Sequence, residues 1–142
     1  VTRQPIPTGD RVHAILMLVV AAGTLAYWLA YFFAGAVQTA DDAVYTGFEN
    51  AFPLADGYMA VAYVAAALLL LRGRLLAVPV GIAAGSAMVF LGAMDTLFNL
   101  EHGKYADMTP EMAVETVINV VCFAFGPITM ARLWRIRSRL AG

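Results

Sequence analysis

The sequence predicts an all-α integral membrane protein: an antiparallel four-helix transmembrane bundle with both termini cytoplasmic. Three observations lead there. Of the 142 residues, 61% are hydrophobic and 13% charged, against about 25% charged in an ordinary soluble domain. Apolar runs of roughly 20 residues, the length that crosses a hydrocarbon core, recur along the chain. Finally, the arginines gather at the chain ends and in one turn, and every acid but Asp10 falls on or near the opposite side, in or beside the two longer connections.

The first span covers about 12–37, after a short polar lead that contains Pro5 and Pro7. It is too long for the apolar core of a signal peptide, although Ala34-Gly35-Ala36 resembles a small-residue cleavage site and leaves removal of this span as an alternative. Its polar residues share one stripe with His13, Met17, Val20, Thr24, Tyr27, Tyr31, Ala34 and Gln38. Residues 40–52 read either as an irregular loop or as an interfacial helix capped by Thr39 or Asp41, with Val44, Tyr45, Phe48 and Phe52 as its apolar face. The second span, 54–71, follows Pro53 and carries Asp56, Ala60, Tyr63, Ala67 and Leu70 on one face.

A basic turn, Arg72-Gly73-Arg74, leads into the third span, 75–100. Here Gly81, Gly85, Met88, Gly92, Asp95 and Asn99 alternate at spacings of four and three, so they lie on one helix face. The lower part of that face is small and suits close helix packing, while the upper part carries a carboxyl group and an amide. After a polar loop, Thr109-Pro110 reads as an N-cap with Pro at the first helical position. The fourth span, 111–133, presents Glu115, Asn119, Cys122, Gly126 and Thr129 on one stripe, with Pro127 as a kink. Together the spans make one transmembrane domain, 1–142.

Charge sets the topology. Arg3, Arg11, Arg72, Arg74, Arg132, Arg135, Arg137 and Arg139 fall on the side of the termini, and Lys104 alone falls on the other. Positive residues mark the cytoplasmic face. Four basic residues after a span anchor it to anionic lipid rather than to nucleic acid, and Trp134 among them suits the interface.

The candidate ligand-binding residues are Asp95, Asp56, Glu115, Asn99, Asn119, Tyr27, Tyr31 and Tyr63, all toward the outer half of the bundle. Near helix N-termini, Asp56 and Glu115 have a structural explanation in the helix dipole. Asp95 has none, because it stands near the C-terminal end of its span; a carboxyl group buried there must be protonated, paired or bound to something cationic. Oxygen-bearing side chains suit a hard cation, the amine or polar head of an apolar ligand, or a proton relay. Spacing alone assigns no metal and no cofactor. With one cysteine, Cys122, neither a disulfide nor a cysteine metal cluster forms within the chain. Cys122 reads as a packing residue, and His13 as a polar end residue in the interface, distant from His102.

Two segments, Phe48-Glu49-Asn50-Ala51-Phe52-Pro53-Leu54-Ala55-Asp56 and Gly92-Ala93-Met94-Asp95-Thr96-Leu97-Phe98-Asn99-Leu100-Glu101-His102-Gly103-Lys104-Tyr105, resemble stretches in small uncharacterised bacterial four-span membrane proteins. The resemblance implies a multi-pass protein of the bacterial cytoplasmic membrane and carries no activity with it. In architecture only, the pattern is similar to the emopamil-binding and sigma-2 type family, which also places acids in a four-helix pocket. The leading expectation is a membrane-embedded binding protein for a small amphipathic or cationic ligand, its acidic pocket open to the extracytoplasmic side. The alternatives are an isomerase-like membrane enzyme, in which one acid titrates near neutral pH beside an ionised one, and a structural subunit. The last would pack its Gly81, Gly85 and Gly92 face on another copy or a partner membrane subunit.

Overall fold

A computed structural model describes residues 6–141, and Arg3 of the charge argument lies outside them. The regular structure of the described residues is all helical, and four of the helices are long and apolar enough to cross a membrane. Helix α1 spans Thr8–Leu29 and widens into a π-helical turn at Ala30–Ala34. Gly35 ends it in the left-handed conformation (φ 59°), which glycine adopts without a Cβ penalty. The span therefore stops short of the expected 37. Gln38, expected beside the outer tyrosines, lies past this terminus and is exposed.

The connection after α1 holds a short helix, α2, at Ala43–Glu49. Its cap is Asp42 rather than Thr39 or Asp41: the Asp42 carboxylate accepts from the backbone N–H groups of Val44 and Tyr45, each at 2.9 Å. The Tyr45 N–H is the chief cause that holds the Asp42 carboxyl below its ordinary value, and the Val44 N–H and Lys104 act the same way against a smaller desolvation effect. Of the four residues expected on the apolar face, Tyr45 is buried, Phe48 and Phe52 are half-buried, and Val44 is exposed.

Helix α3 (Phe52–Leu71), helix α4 (Ala77–Glu101) and helix α5 (Pro110–Ala141) complete the bundle. At the start of α5 the Thr109 hydroxyl accepts from the Met112 N–H at 3.2 Å, as an N-cap should. The helix runs on through Pro127 and past 133, so the terminal arginines are helical. Packing follows a chain of neighbours, α1 on α3, α3 on α4 and α4 on α5. Between α4 and α5 the small-residue stripe does what its spacing predicts. A Cβ at Gly85 would stand 2.7 Å from the Gly126 carbonyl oxygen, and one at Gly92 would stand 2.6 Å from the Cys122 Cβ. Only glycine permits this approach, and α5 of the same chain fills the glycine face.

The backbones of α1 and α5 approach each other closely at few points. They meet at one end, where the buried Asp10 carboxylate accepts from Arg132 at 3.1 Å and from Arg139. His13, expected as a polar end residue in the interface, is buried against the protein. It is 4% exposed, with its ring 5.4 Å from that of Phe125 on α5. The outer surface is dense in exposed Val, Leu, Ile and Phe on every long helix, which is the surface a bilayer accepts.

Candidate functional site

The spread between α1 and α5 leaves a cavity of about 340 Å³, within the size range of small-molecule sites. Helix α1 contributes Val20, Gly23, Thr24, Tyr27 and Trp28 to it; α4 contributes Met88, Leu91, Gly92 and Asp95; α5 contributes Glu115, Ile118, Asn119 and Cys122. Glu49, Phe52 and Asp56 close it from the α2–α3 junction. Most of the wall is apolar, and the polar groups lie where Glu49, Asp95 and Glu115 converge. One carboxylate oxygen from each lies within 4.8 Å of the other two.

Helix geometry explains the convergence. Asp95 and Asn99 are one turn apart on α4, as are Glu115 and Asn119 on α5, and the two helices are in close contact through their small residues. The pairs interlock across the interface. Asn99 Nδ2 donates to Glu115 Oε1, and Asn119 Nδ2 donates to Asp95 Oδ2 at 2.7 Å. Tyr105, in the 3₁₀ turn Lys104–Ala106, brings its hydroxyl to 3.5 Å from the same Asn119 nitrogen. Each amide therefore fixes one carboxylate. Two buried acceptors stay without a partner, Glu115 Oε2 and Asn99 Oδ1.

Among the described residues, no cation compensates these acids: the ion pairs are Lys104–Asp42, Arg132–Asp10 and Arg139–Asp10, all outside the cavity. The site concentrates negative charge where the dielectric is low, and isolated carboxylates are costly there. It can hold a positive charge, or share protons among its acids.

Compared with known proteins, the chain matches no family model, no curated protein and no solved structure.

The structure brings Asp95, Glu115, Asn119, Tyr27 and Asp56 to the cavity wall. Asp56 has a partner of its own, because its carboxylate accepts from Trp28 Nε1 at 2.9 Å and ties α3 to α1. Asn99 is fully buried behind Glu115 and orients it. Tyr63 and Tyr31 stand off the wall. Tyr63 is fully buried with its hydroxyl 3.1 Å from the Met88 sulfur, and Tyr31 packs edge-on against Trp28. Cys122 is both a packing residue against Gly92 and part of the wall.

Glu49 was not among the candidate ligand-binding residues read from sequence, and it completes the acidic cluster. By sequence it falls in the 40–52 connection, so no stripe contained it; the structure places it on α2. The available signal was its place between Tyr45, Phe48 and Phe52, whose rings turn the segment inward. The Phe48 ring stacks on Phe98 of α4 at 3.9 Å, and Glu49 is left 5% exposed.

Proposed function

We propose that this protein binds a small amphipathic or cationic ligand in the acidic cavity between α1 and α5. The bundle is read as up-and-down, in the cytoplasmic membrane of a bacterium, with both termini inside and the acidic end toward the extracytoplasmic side. The arginine distribution supports this orientation, and so does the Asp10 contact, which joins the two ends of the chain.

One observation carries the functional reading: three carboxylates converge in a mostly apolar cavity, and among the described residues no lysine or arginine neutralises them. A positively charged head satisfies the acids, and the apolar wall accepts a hydrocarbon body. Glu115 and Asp95, held by their amides, are already oriented for a ligand.

The test is thermal stabilisation of the detergent-solubilised protein by a series of n-alkylamines, with n-alkanols of equal chain length as controls. Amines are expected to raise the melting temperature and alkanols to leave it nearly unchanged. Asp95→Asn should remove the amine response while circular dichroism shows the same helix content. Equal shifts from amines and alkanols, in wild type and variant alike, would show an apolar cavity indifferent to charge and would end this reading.

A further inference from the structure

We infer that the Glu49, Asp95 and Glu115 cluster is a binding site for a hard divalent metal ion of the calcium or manganese class. The inference rests on the reading above, that the site recruits positive charge, and names the cation. Three oxygens pairwise within 4.8 Å enclose a point no more than about 2.8 Å from each, and a contraction of a few tenths of an ångström reaches the 2.3–2.6 Å of calcium–oxygen bonds.

The donor set is made of oxygen alone, which selects hard ions over zinc or copper. Three carboxylates bring three negative charges in their ionised state. A single ammonium offsets one of these and a divalent ion offsets two, a large difference where the dielectric is low. The ligands are also braced as metal ligands are. Asn99 holds one oxygen of Glu115 and Asn119 holds one of Asp95, so each carboxylate is oriented by an outer amide.

A second observation, made on the Glu115 side chain itself, also points to a ligand. Glu115 is 4% exposed and lines the cavity, yet its Oε2 has no hydrogen-bond partner. A buried acceptor on a charged group is seldom left without one. The neighbouring cavity has room for the waters that fill the rest of a calcium coordination sphere. The three ligands come from α2, α4 and α5, so a bound ion also ties the α2 connection to the bundle.

The experiment uses the full chain in detergent, stripped with a chelator and desalted, with no organic ligand added. Manganese binding is followed by loss of the free-ion electron paramagnetic resonance signal, then by displacement with calcium, and melting is recorded with and without calcium. Expected are one manganese ion per chain, competition by calcium, affinity of roughly 0.1–1 mM or tighter, and a raised melting temperature. Glu49→Gln should weaken manganese binding at least tenfold. Without metal this variant should melt at or above wild type, because one of three crowded acids has become neutral; a merely structural Glu49 would lower it. Glu101→Gln, which changes an exposed acid, should bind as wild type does. Should Glu49→Gln fail to fold, Asp95→Asn answers the same question, since Asn119 can still donate to the amide oxygen.

Absence of manganese binding at about 1 mM, or equal binding by wild type, Glu49→Gln and Asp95→Asn, overturns the metal site. If alkylamines still stabilise the protein in that case, the cavity binds organic cations and the broader reading survives. If neither amines nor metals bind, both fall. Metal binding without any amine response keeps the metal site and ends the organic-ligand reading.

Discussion

At the scale of single residues, the protein's polar interior depends on matching each acid to a donor. Asn99 is fully buried and donates to Glu115, whose other oxygen has no partner. Asn99→Leu therefore leaves the Glu115 carboxylate without its amide donor, at a cost of about 1–3 kcal/mol for a buried group left unmatched. Thermal or denaturant unfolding of the metal-free protein in detergent should show that loss, and should show little of it when Glu115 is also changed to Leu. Asp42 gives a pH-dependent case. Its carboxyl is lowered chiefly by the Tyr45 N–H, so its contribution to α2 is complete above the ordinary aspartate value of about 4 and is lost as pH falls through the depressed value. Hydrogen exchange at Val44 and Tyr45 should accelerate on acidification in wild type. In Asp42→Ala it should already be fast at neutral pH and change less. At this scale the stripes on α4 and α5 were legible, because four-residue spacing within a helix is a local property. Glu49 was not: its inward turn depends on Phe48 meeting Phe98, residues fifty positions apart on different elements.

At the scale of elements, α4 and α5 are held at the distance their glycines allow, and that distance decides whether Asp95 and Glu115 share a site. A methyl group at Gly85 would meet the Gly126 carbonyl, which belongs to the backbone of a long helix and has little freedom to yield. Gly81 is more forgiving, because a methyl there meets the end of the Leu133 side chain, which can turn aside. Gly85→Ala is thus expected to cost about 1–3 kcal/mol through overpacking, and Gly81→Ala less. Gly57 has nothing within 4 Å of its Cβ position, and Gly57→Ala should be neutral or slightly stabilising. The three variants, compared by unfolding in one detergent, separate a packing requirement from a general preference for glycine in these helices. The small-residue spacing announced an interface from the sequence, but which helix filled it was not legible. That required the register of α5, where Gly126 and Cys122 fall opposite Gly85 and Gly92.

At the scale of the molecule, the bundle is open on one side, and Asp10 sets where the opening ends. Composition and charge pattern pointed to four helices long and apolar enough to span a membrane, yet read the arginines of the last one only as a lipid anchor. The structure shows that Arg132 and Arg139 also reach Asp10. That pairing joins residues 122 and 129 positions apart, beyond any local signal. It matters because the backbones of α1 and α5 approach each other closely at few points, so this contact and the His13–Phe125 pair help hold the two walls of the cavity together at its base. Asp10 is 2% exposed, whereas the side chains of Arg132 and Arg139 are 36% and 45% exposed. Removing the carboxylate leaves guanidinium groups that water can reach, so the loss should fall below that of breaking a fully buried pair, at about 1–2 kcal/mol. The effect of Asp10→Asn should also be local. Hydrogen exchange is expected to rise at 8–14 and 132–139 and to stay unchanged in α3 and the middle of α4, which keep their own contacts. Manganese affinity should change no more than about twofold, since Asn99 and Asn119 hold the carboxylates at the other end of the bundle. A large drop in affinity would instead show that the clamp at the base sets the geometry of the acids, and that the two ends of the cavity move together.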